Sequence, residues 1–443
     1  MSVTGFYIGH GVEARHFLLS GLVDKALEKG KVVLFTRKQI NSPNFDYYLN
    51  NLDIKIVSVN DITPNKYSFL IGKIIRAQRN SRKRLKNIGL YSHYTVVSNK
   101  VRKYDFLIGN DFINYVMDFF ARPIISFLNY NSILEKVVLD SKIDNLCILE
   151  YGQTINNALA SVCSKNNISI YVFVNTLKTV FINDFIPFKF DRLFCWSFSQ
   201  GTFYKSANPN IKSSAFKISG SPFHTFLRNK DIGNSQRVLE KYKLDQSRPI
   251  VVYPLIYEKV YSGEHIIIEK INMFFNSIKE ENRPQLVLRR NPFEESSFLV
   301  DYVNEFENVT VFDHFWERNK NKNWSIQSKE GEMEWKALLQ KCSLLISFPS
   351  MSIIESIICS TPVINIGFGE DGLENKRLSN IIHAPFIKEF EKSDFVEQCL
   401  NFDKFQEVFL TFLQIKNKIE REKISASLEI SISDLTPFEF NQK

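Results

Sequence analysis

Two turns in the second half of the chain hold side chains of the types that grip phosphate oxygens. The run Leu344 to Asn365, LLISFPSMSIIESIICSTPVIN, reads as strand, turn, helix, strand. Ser352 followed by Glu355 is a capping-box pattern and predicts a helix that begins there. Ser350 and Ser352 would add hydroxyl donors to the N–H groups of that helix start, where the dipole favours an anion. The same residues also fit an ordinary βαβ unit whose serines only cap a helix. Upstream, Gln285-Leu286-Val287-Leu288 is strand-like and ends in Arg289-Arg290-Asn291-Pro292. A guanidinium offers a planar fork that matches phosphate oxygens. A solvated arginine pair at a β-turn is the competing reading. The strand end and turn Ile218 to Pro222 adds Gly220 and Ser221 to the nucleotide-binding candidates, with Arg289, Asn291, Pro292, Ser350, Ser352 and Glu355.

Proton transfer has two candidates. Glu150 ends the apolar run Asn145 to Leu149 and precedes Tyr151-Gly152. A partly desolvated carboxylate there would have a raised pKa, suited to taking a hydroxyl proton. A glutamate that caps the next helix fits equally. His10, between Gly9 and Gly11, is the competing base, although a lone histidine is more often structural. No Asp-x-Asp pair, GxxxxGK[ST] loop, GxSxG elbow or HExxH occurs, and Gly9-His10-Gly11 lacks the third glycine of a dinucleotide fingerprint. No metal ligand set is expected.

Positioning these turns requires an α/β framework. Strand and helix patterns alternate in both halves, which implies mostly parallel sheets covered by helices. A single amphipathic helix is expected from Glu13 to Glu28, strands at Phe106 to Gly109 and Ile170 to Val174, and a long C-terminal helix from Phe405 to Lys423. The resulting division is an N-terminal Rossmann-like domain over 1–227, a linker over 228–236, a second Rossmann-like domain over 237–385 and a helical tail over 386–443. Ligands in such sheets bind beyond the carboxyl ends of the strands, where these turns lie.

The layout resembles the GT-B glycosyltransferases, which have two Rossmann-like domains facing a cleft. In that family a Ser-rich turn, a Glu-bearing helix and a Pro-Val-Ile strand hold the donor's phosphates and ribose. Here Lys341 to Ile364 is similar, with Ser350, Ser352 and Glu355 as the implied contacts, although Ser360-Thr361 stands where many relatives have glycine. A narrower resemblance is to bacterial sialyl-, polysialyl-, Kdo and nonulosonic-acid transferases, with their acidic-acidic-Gly, His-Pro and Ser-Ser motifs. Glu150-Tyr151-Gly152 lacks the second acid, Asn291-Pro292 lacks the histidine, and Ser350-Met351-Ser352 splits the serine pair. The resemblance implies a metal-independent transferase of bacterial surface-polysaccharide synthesis. It would take a nucleotide-sugar co-substrate, CMP-linked before UDP- or GDP-linked, and a glycan or lipid-linked glycan acceptor. A nucleotide-sugar epimerase, or a non-catalytic scaffold of the same fold, are the alternatives.

The chain of 443 residues is 44% hydrophobic and 23% charged, a folded-protein composition with room for two or three cores. Its six cysteines form no CxxC pair, which argues for reduced thiols in the cytoplasm over a disulfide frame or zinc site. No signal peptide or membrane-spanning run is read from the sequence. The net charge of +8 is uneven, with Lys73, Arg76, Arg79, Arg82, Lys83, Arg84 and Lys86 in one stretch interleaved with apolar residues. Such a segment suits an acceptor or an anionic membrane at the inner face of the cytoplasmic membrane. A solvated helix face explains it as well, and nucleic acid is disfavoured because no nucleic-acid-binding motif accompanies it.

Overall fold

Strands buried on both faces read as continuous apolar runs, and this chain has two sets of them. The computed structural model describes residues 2–37, 42–49, 52–60, 65–85, 110–150, 154–176, 179, 184–228, 232–256, 261–291, 306–313, 316–319, 324–348, 350–376, 378–379 and 396–414. These fall into two compact units. The first comprises residues 2–226 with Glu317–Ile326, and the second Leu227–Trp316 with residues 327–414.

In the first unit β1 (Ser2–Ile8), β2 (Gly30–Arg37), β3 (Lys55–Val59), β4 (Asn145–Glu150), β5 (Ser169–Val174), β6 (Arg192–Cys195) and β7 (Phe216–Ile218) form one sheet. The order is β3-β2-β1-β4-β5-β6-β7. Every neighbouring pair is parallel. Gly30 lets β2 start tight against β1, since a Cβ there would lie 2.0 Å from the Ser2 carbonyl oxygen. In the second unit β8 (Ile250–Pro254), β9 (Gln285–Arg289) and β10 (Val309–Phe312) precede a two-stranded ribbon, β11 (Trp316–Asn319) and β12 (Trp324–Gln327). β13 (Leu344–Ser347), β14 (Val363–Ile366) and β15 (Val396–Cys399) complete the sheet β10-β9-β8-β13-β14-β15. It is parallel throughout. Strand order therefore reverses at β1/β4 and again at β8/β13, the positions where open α/β sheets leave a crevice.

The ribbon's Glu317–Ile326 segment belongs to the first unit. The Glu317 carboxylate accepts from the Ser42 hydroxyl and, at 3.2 Å, from the Asn44 N–H, while Asn44 Nδ2 donates to the Ile326 carbonyl at 3.3 Å. The division at a single linker did not anticipate this excursion.

Side chains alternate along each strand. One face of the second sheet, with Tyr253, Leu288, Ile346 and Ile364, packs on Ile267, Ile271 and Phe275 of the Glu264–Ser277 helix and on Phe405 and Phe409 of the Phe402–Gln414 helix. Each fully buried aromatic there contributes about 2–3 kcal/mol. The alternate positions, Arg289 among them, are left for the opposite face.

Several expectations change. The segment after β1 is not one helix. Gly11–Ala14 is α-helical, Arg15–Leu19 is a π-helical turn, and Leu22–Lys29 follows Gly21, whose φ of +76° breaks the run. The C-terminal helix starts at Phe402 and is described to Gln414. Within 228–236 the chain is helical again from Ile232. The expected strand at Phe106 to Gly109, the tail beyond Gln414, and Tyr151, Gly152, Lys86 and Pro292 lie outside the described residues. All six cysteines are free thiols, buried except for a half-buried Cys359. Burial pushes the Cys147 and Cys359 thiols well up, and those of Cys163 and Cys399 to about 12.

Candidate functional site

At the carboxyl edge of the second sheet, β9 ends on Arg289, and β8 runs on into Leu255, whose N–H donates to the Arg289 carbonyl at 2.9 Å. Asn291 Nδ2 donates to the Leu255 carbonyl at 3.2 Å, so it holds this turn together. The Arg289 guanidinium lies on the sheet face covered by the Lys329–Lys341 helix. Its Cζ stands 3.8 Å over the Trp335 ring, a desolvated cation–π contact. Nη1 donates to Ser352 Oγ at 3.4 Å and lies 3.6 Å from Glu355 Oε2. Glu355 also accepts from Trp335 Nε1 at 2.8 Å. Arg289, Ser352 and Glu355 are each less than a tenth exposed.

The helix Ser352–Ile358 follows β13 but does not start as a capping box. Met351 is its N-cap, and the Ser352 N–H donates to Ser350 Oγ at 3.3 Å. Ser350 Oγ also lies 3.1 Å from Ser347 Oγ. Ser352 is thus inside the first turn, and its hydroxyl meets Arg289. The helix has only seven residues, so its dipole adds little and the side chains carry the site.

Tyr253 ends a strand-like run whose turn the sequence places at this edge, whereas Glu264 and Tyr261 gave no sequence signal. Glu264 is buried, and its carboxylate accepts from the Ile256 N–H at 2.9 and 3.2 Å. Tyr253 faces it and is raised well above the ordinary phenol pKa by burial and by Glu264. Tyr261 donates to Glu370 Oε2 at 2.8 Å and accepts from the Glu370 N–H at 2.9 Å. Arg290 turns aside, 3.5 Å from Asp313.

The first sheet's carboxyl edge is built differently. His10 is the half-buried N-cap of the Gly11–Ala14 turn. Glu13 sits three residues on and accepts from its own N–H and that of His10. Burial pushes its carboxyl up to about 8 against those donors and the nearby Arg37. His16 is buried, with Nδ1 3.1 Å from Ser221 Oγ, and its ring also meets the Asn175 backbone. Burial, with Arg15 next to it, holds its pKa down to about 3. Gly220 takes φ +70°, a left-handed turn that points Ser221 at His16. The Ser221 hydroxyl, expected to face a nucleotide, is almost wholly buried in this contact. Glu150 ends β4 paired with Val174, and its side chain lies outside the described residues.

The basic stretch divides. Lys73 and Arg76 are exposed on the Lys66–Leu85 helix, while the side chains of Arg82, Lys83 and Arg84 lie outside the described residues. Arg79 is 2% exposed and is removed from the acceptor or membrane contacts. It pairs with Asp118 and, at 3.4 Å, with Asp184, and Arg122 joins Asp118 at 3.2 Å. A guanidinium this deep is held by ion partners because its desolvation must be offset. Among the described residues no three His, Cys, Asp or Glu side chains are grouped to hold a metal, and no helix is long and apolar enough to cross a membrane.

No family model matches the sequence, and no curated protein is similar to it in sequence. Solved structures are similar in fold. A glycosyltransferase from Rickettsia africae ESF-5 superposes with a TM-score of 0.55 at 9% identity, covering 98% of this chain and 94% of that one. The UDP-GlcNAc 2-epimerase of Methanocaldococcus jannaschii, in complex with UDP-GlcNAc and UDP, gives 0.52 at 12% identity, over 97% and 100%. That of Neisseria meningitidis bound to UDP-GlcNAc gives 0.51 at 12% identity, over 96% and 94%. Together with the two parallel sheets, these likenesses identify the fold as the two-domain GT-B type.

Proposed function

We propose that this chain is an enzyme acting on a nucleotide-activated sugar and that it transfers the sugar to a glycan or lipid-linked glycan in bacterial surface-polysaccharide synthesis. The observation that carries the reading is the Arg289 guanidinium, stacked on Trp335 and 3.4 Å from Ser352 Oγ at the strand-order reversal of the second sheet. Its contacts with Ser352 and Glu355 are long, so phosphate oxygens can outcompete them. In this reading Glu150 takes the proton of an acceptor hydroxyl, and that oxygen attacks the anomeric carbon. The bond from that carbon to the phosphate oxygen breaks. The charge left on the phosphate is met by Arg289, Ser350 and Ser352. The enzyme works at the inner face of the cytoplasmic membrane.

The donor nucleotide is open to test. The degraded Ser-x-Ser and Asn-Pro turns gave CMP first place, but Asn291 is engaged with the Leu255 carbonyl, and the nucleotides named in the complexes of similar fold are UDP and UDP-GlcNAc. UDP is therefore the first nucleotide to try. Those complexes favour the alternative reading, 2-epimerisation of a UDP-sugar, over sugar transfer.

Calorimetric titration with UDP, CMP and GDP names the nucleotide. Arg289→Lys should weaken the best of them about 10- to 100-fold, because a lysine loses the planar fork. Glu150→Ala should abolish transfer with nucleotide affinity intact. Deuterium entering C2 of UDP-GlcNAc from heavy water without acceptor would select the epimerase. Binding of no nucleotide would leave only a scaffold role.

A further inference from the structure

The Asp111–Asn129 helix is turned inside out. Its inward side carries Asp118 and Arg122, tied to Arg79, with Ala121 and Ile125 packed against Ile75 and Phe185. Its outward side carries Phe112, Tyr115, Phe119, Phe120, Ile124 and Phe127, all exposed, Phe127 at 81%. A water-facing helix normally shows the reverse pattern. A row of exposed aromatics on one helix marks a surface made to be covered.

The helix it packs against supplies the charge. Lys66–Leu85 contains seven lysines and arginines and no acidic residue. It exposes Tyr67, Phe69, Leu70 and Ile74 beside Lys66, Lys73 and Arg76. Lys73 Nζ lies 4.4 Å from the Phe69 ring centroid and Lys66 Nζ 5.6 Å from that of Tyr67, so cation and aromatic face outward together. Aromatic bodies with basic heads suit the headgroup layer of a bilayer. The rings enter the acyl boundary while the cations stay among anionic phosphates.

We infer that this pair of helices docks the first unit onto an anionic lipid surface, with the Phe-rich face of the Asp111–Asn129 helix inserted into the interface and Lys66, Lys73 and Arg76 paired with lipid headgroups. This deepens the membrane part of the proposed function, but it requires neither a donor nor a reaction.

The test is flotation of the full chain with phosphatidylcholine vesicles, with and without phosphatidylglycerol. The wild type should float only with the anionic vesicles, and less at high salt. Phe119→Ser with Phe127→Ser, and separately Lys73→Glu with Arg76→Glu, should each lower partitioning on the order of tenfold or more. Both sites are exposed, so the fold should survive, as circular dichroism would report. The Phe variant should titrate nucleotide like the wild type, which separates failure of the surface from failure of the enzyme reading. Wild-type protein that stays unbound, or variants that float equally well, overturn the inference. So does gel filtration showing a dimer that the Phe variant converts to monomer, since a second copy would then cover the face.

Discussion

Glu13 is a carboxyl sealed from water in a first helical turn, and His16, three residues on, is an imidazole sealed beside it. An unfolded chain releases the Glu13 proton near 4.5, whereas the folded chain keeps it to about 8. Stability therefore falls as pH rises through that window, by up to about 1.4 kcal/mol per pH unit. His16 works in the opposite sense. The unfolded imidazole gains a proton below about 6.5 while the folded one stays neutral to about 3, so stability falls as pH drops through that range. The two slopes oppose each other between 4.5 and 6.5 and act alone on either side. Glu13→Gln should remove the alkaline slope, gaining on the wild type from pH 6.5 to 8 in urea unfolding. A gap that does not change with pH would contradict this. Neither burial was legible in sequence, because His16 meets Asn175 and Ser221, brought in by later strands, and Glu13 lies near Arg37 at the end of β2. Arg289 and Ser352 were legible, since a strand-end arginine and a strand-end serine must share a sheet edge when their strands do. Trp335, which positions Arg289, was not, since nothing in a helical run says which face its tryptophan turns to a partner.

At the scale of elements, periodicity gives the apolar face of a helix but not its direction. In Asp111–Asn129 the polar face goes inward because Arg79 arrives from the neighbouring helix to meet Asp118, and Arg122 donates to the Ile186 carbonyl at 2.9 Å. Arg79 thereby joins two helices and the segment around Asp184. Replacing it by methionine should cost about 3 kcal/mol or more in urea unfolding, because two buried ion pairs, to Asp118 and to Asp184, are broken at once. A loss below about 1 kcal/mol would put the network on the level of exposed pairs. The capping box failed for a related reason. Ser350 accepts from Ser352's N–H, so Met351 becomes the cap and Ser352 is released toward Arg289.

For the whole molecule, the alternation of strand and helix was enough to anticipate two parallel sheets, because βαβ connections leave few other arrangements. The strand orders, each reversing between its first and fourth strands, came only with the structure, as did the return of Glu317–Ile326 to the first unit. Chain order alone does not contain such long-range choices. The six thiols were expected to be reduced and buried, and they have a practical consequence. A maleimide reacts with thiolate, and burial keeps Cys147, Cys163 and Cys399 almost wholly protonated at neutral pH, while Cys195 and Cys342 are shielded by packing. The native chain should therefore take up maleimide dye at the half-buried Cys359 alone until it is unfolded. Phe127→Cys with Cys359→Ser then gives one addressable fluorophore without stripping the other natural cysteines. Its emission should shift to the blue when anionic vesicles are added, turning the outermost residue of the inverted helix into a depth gauge.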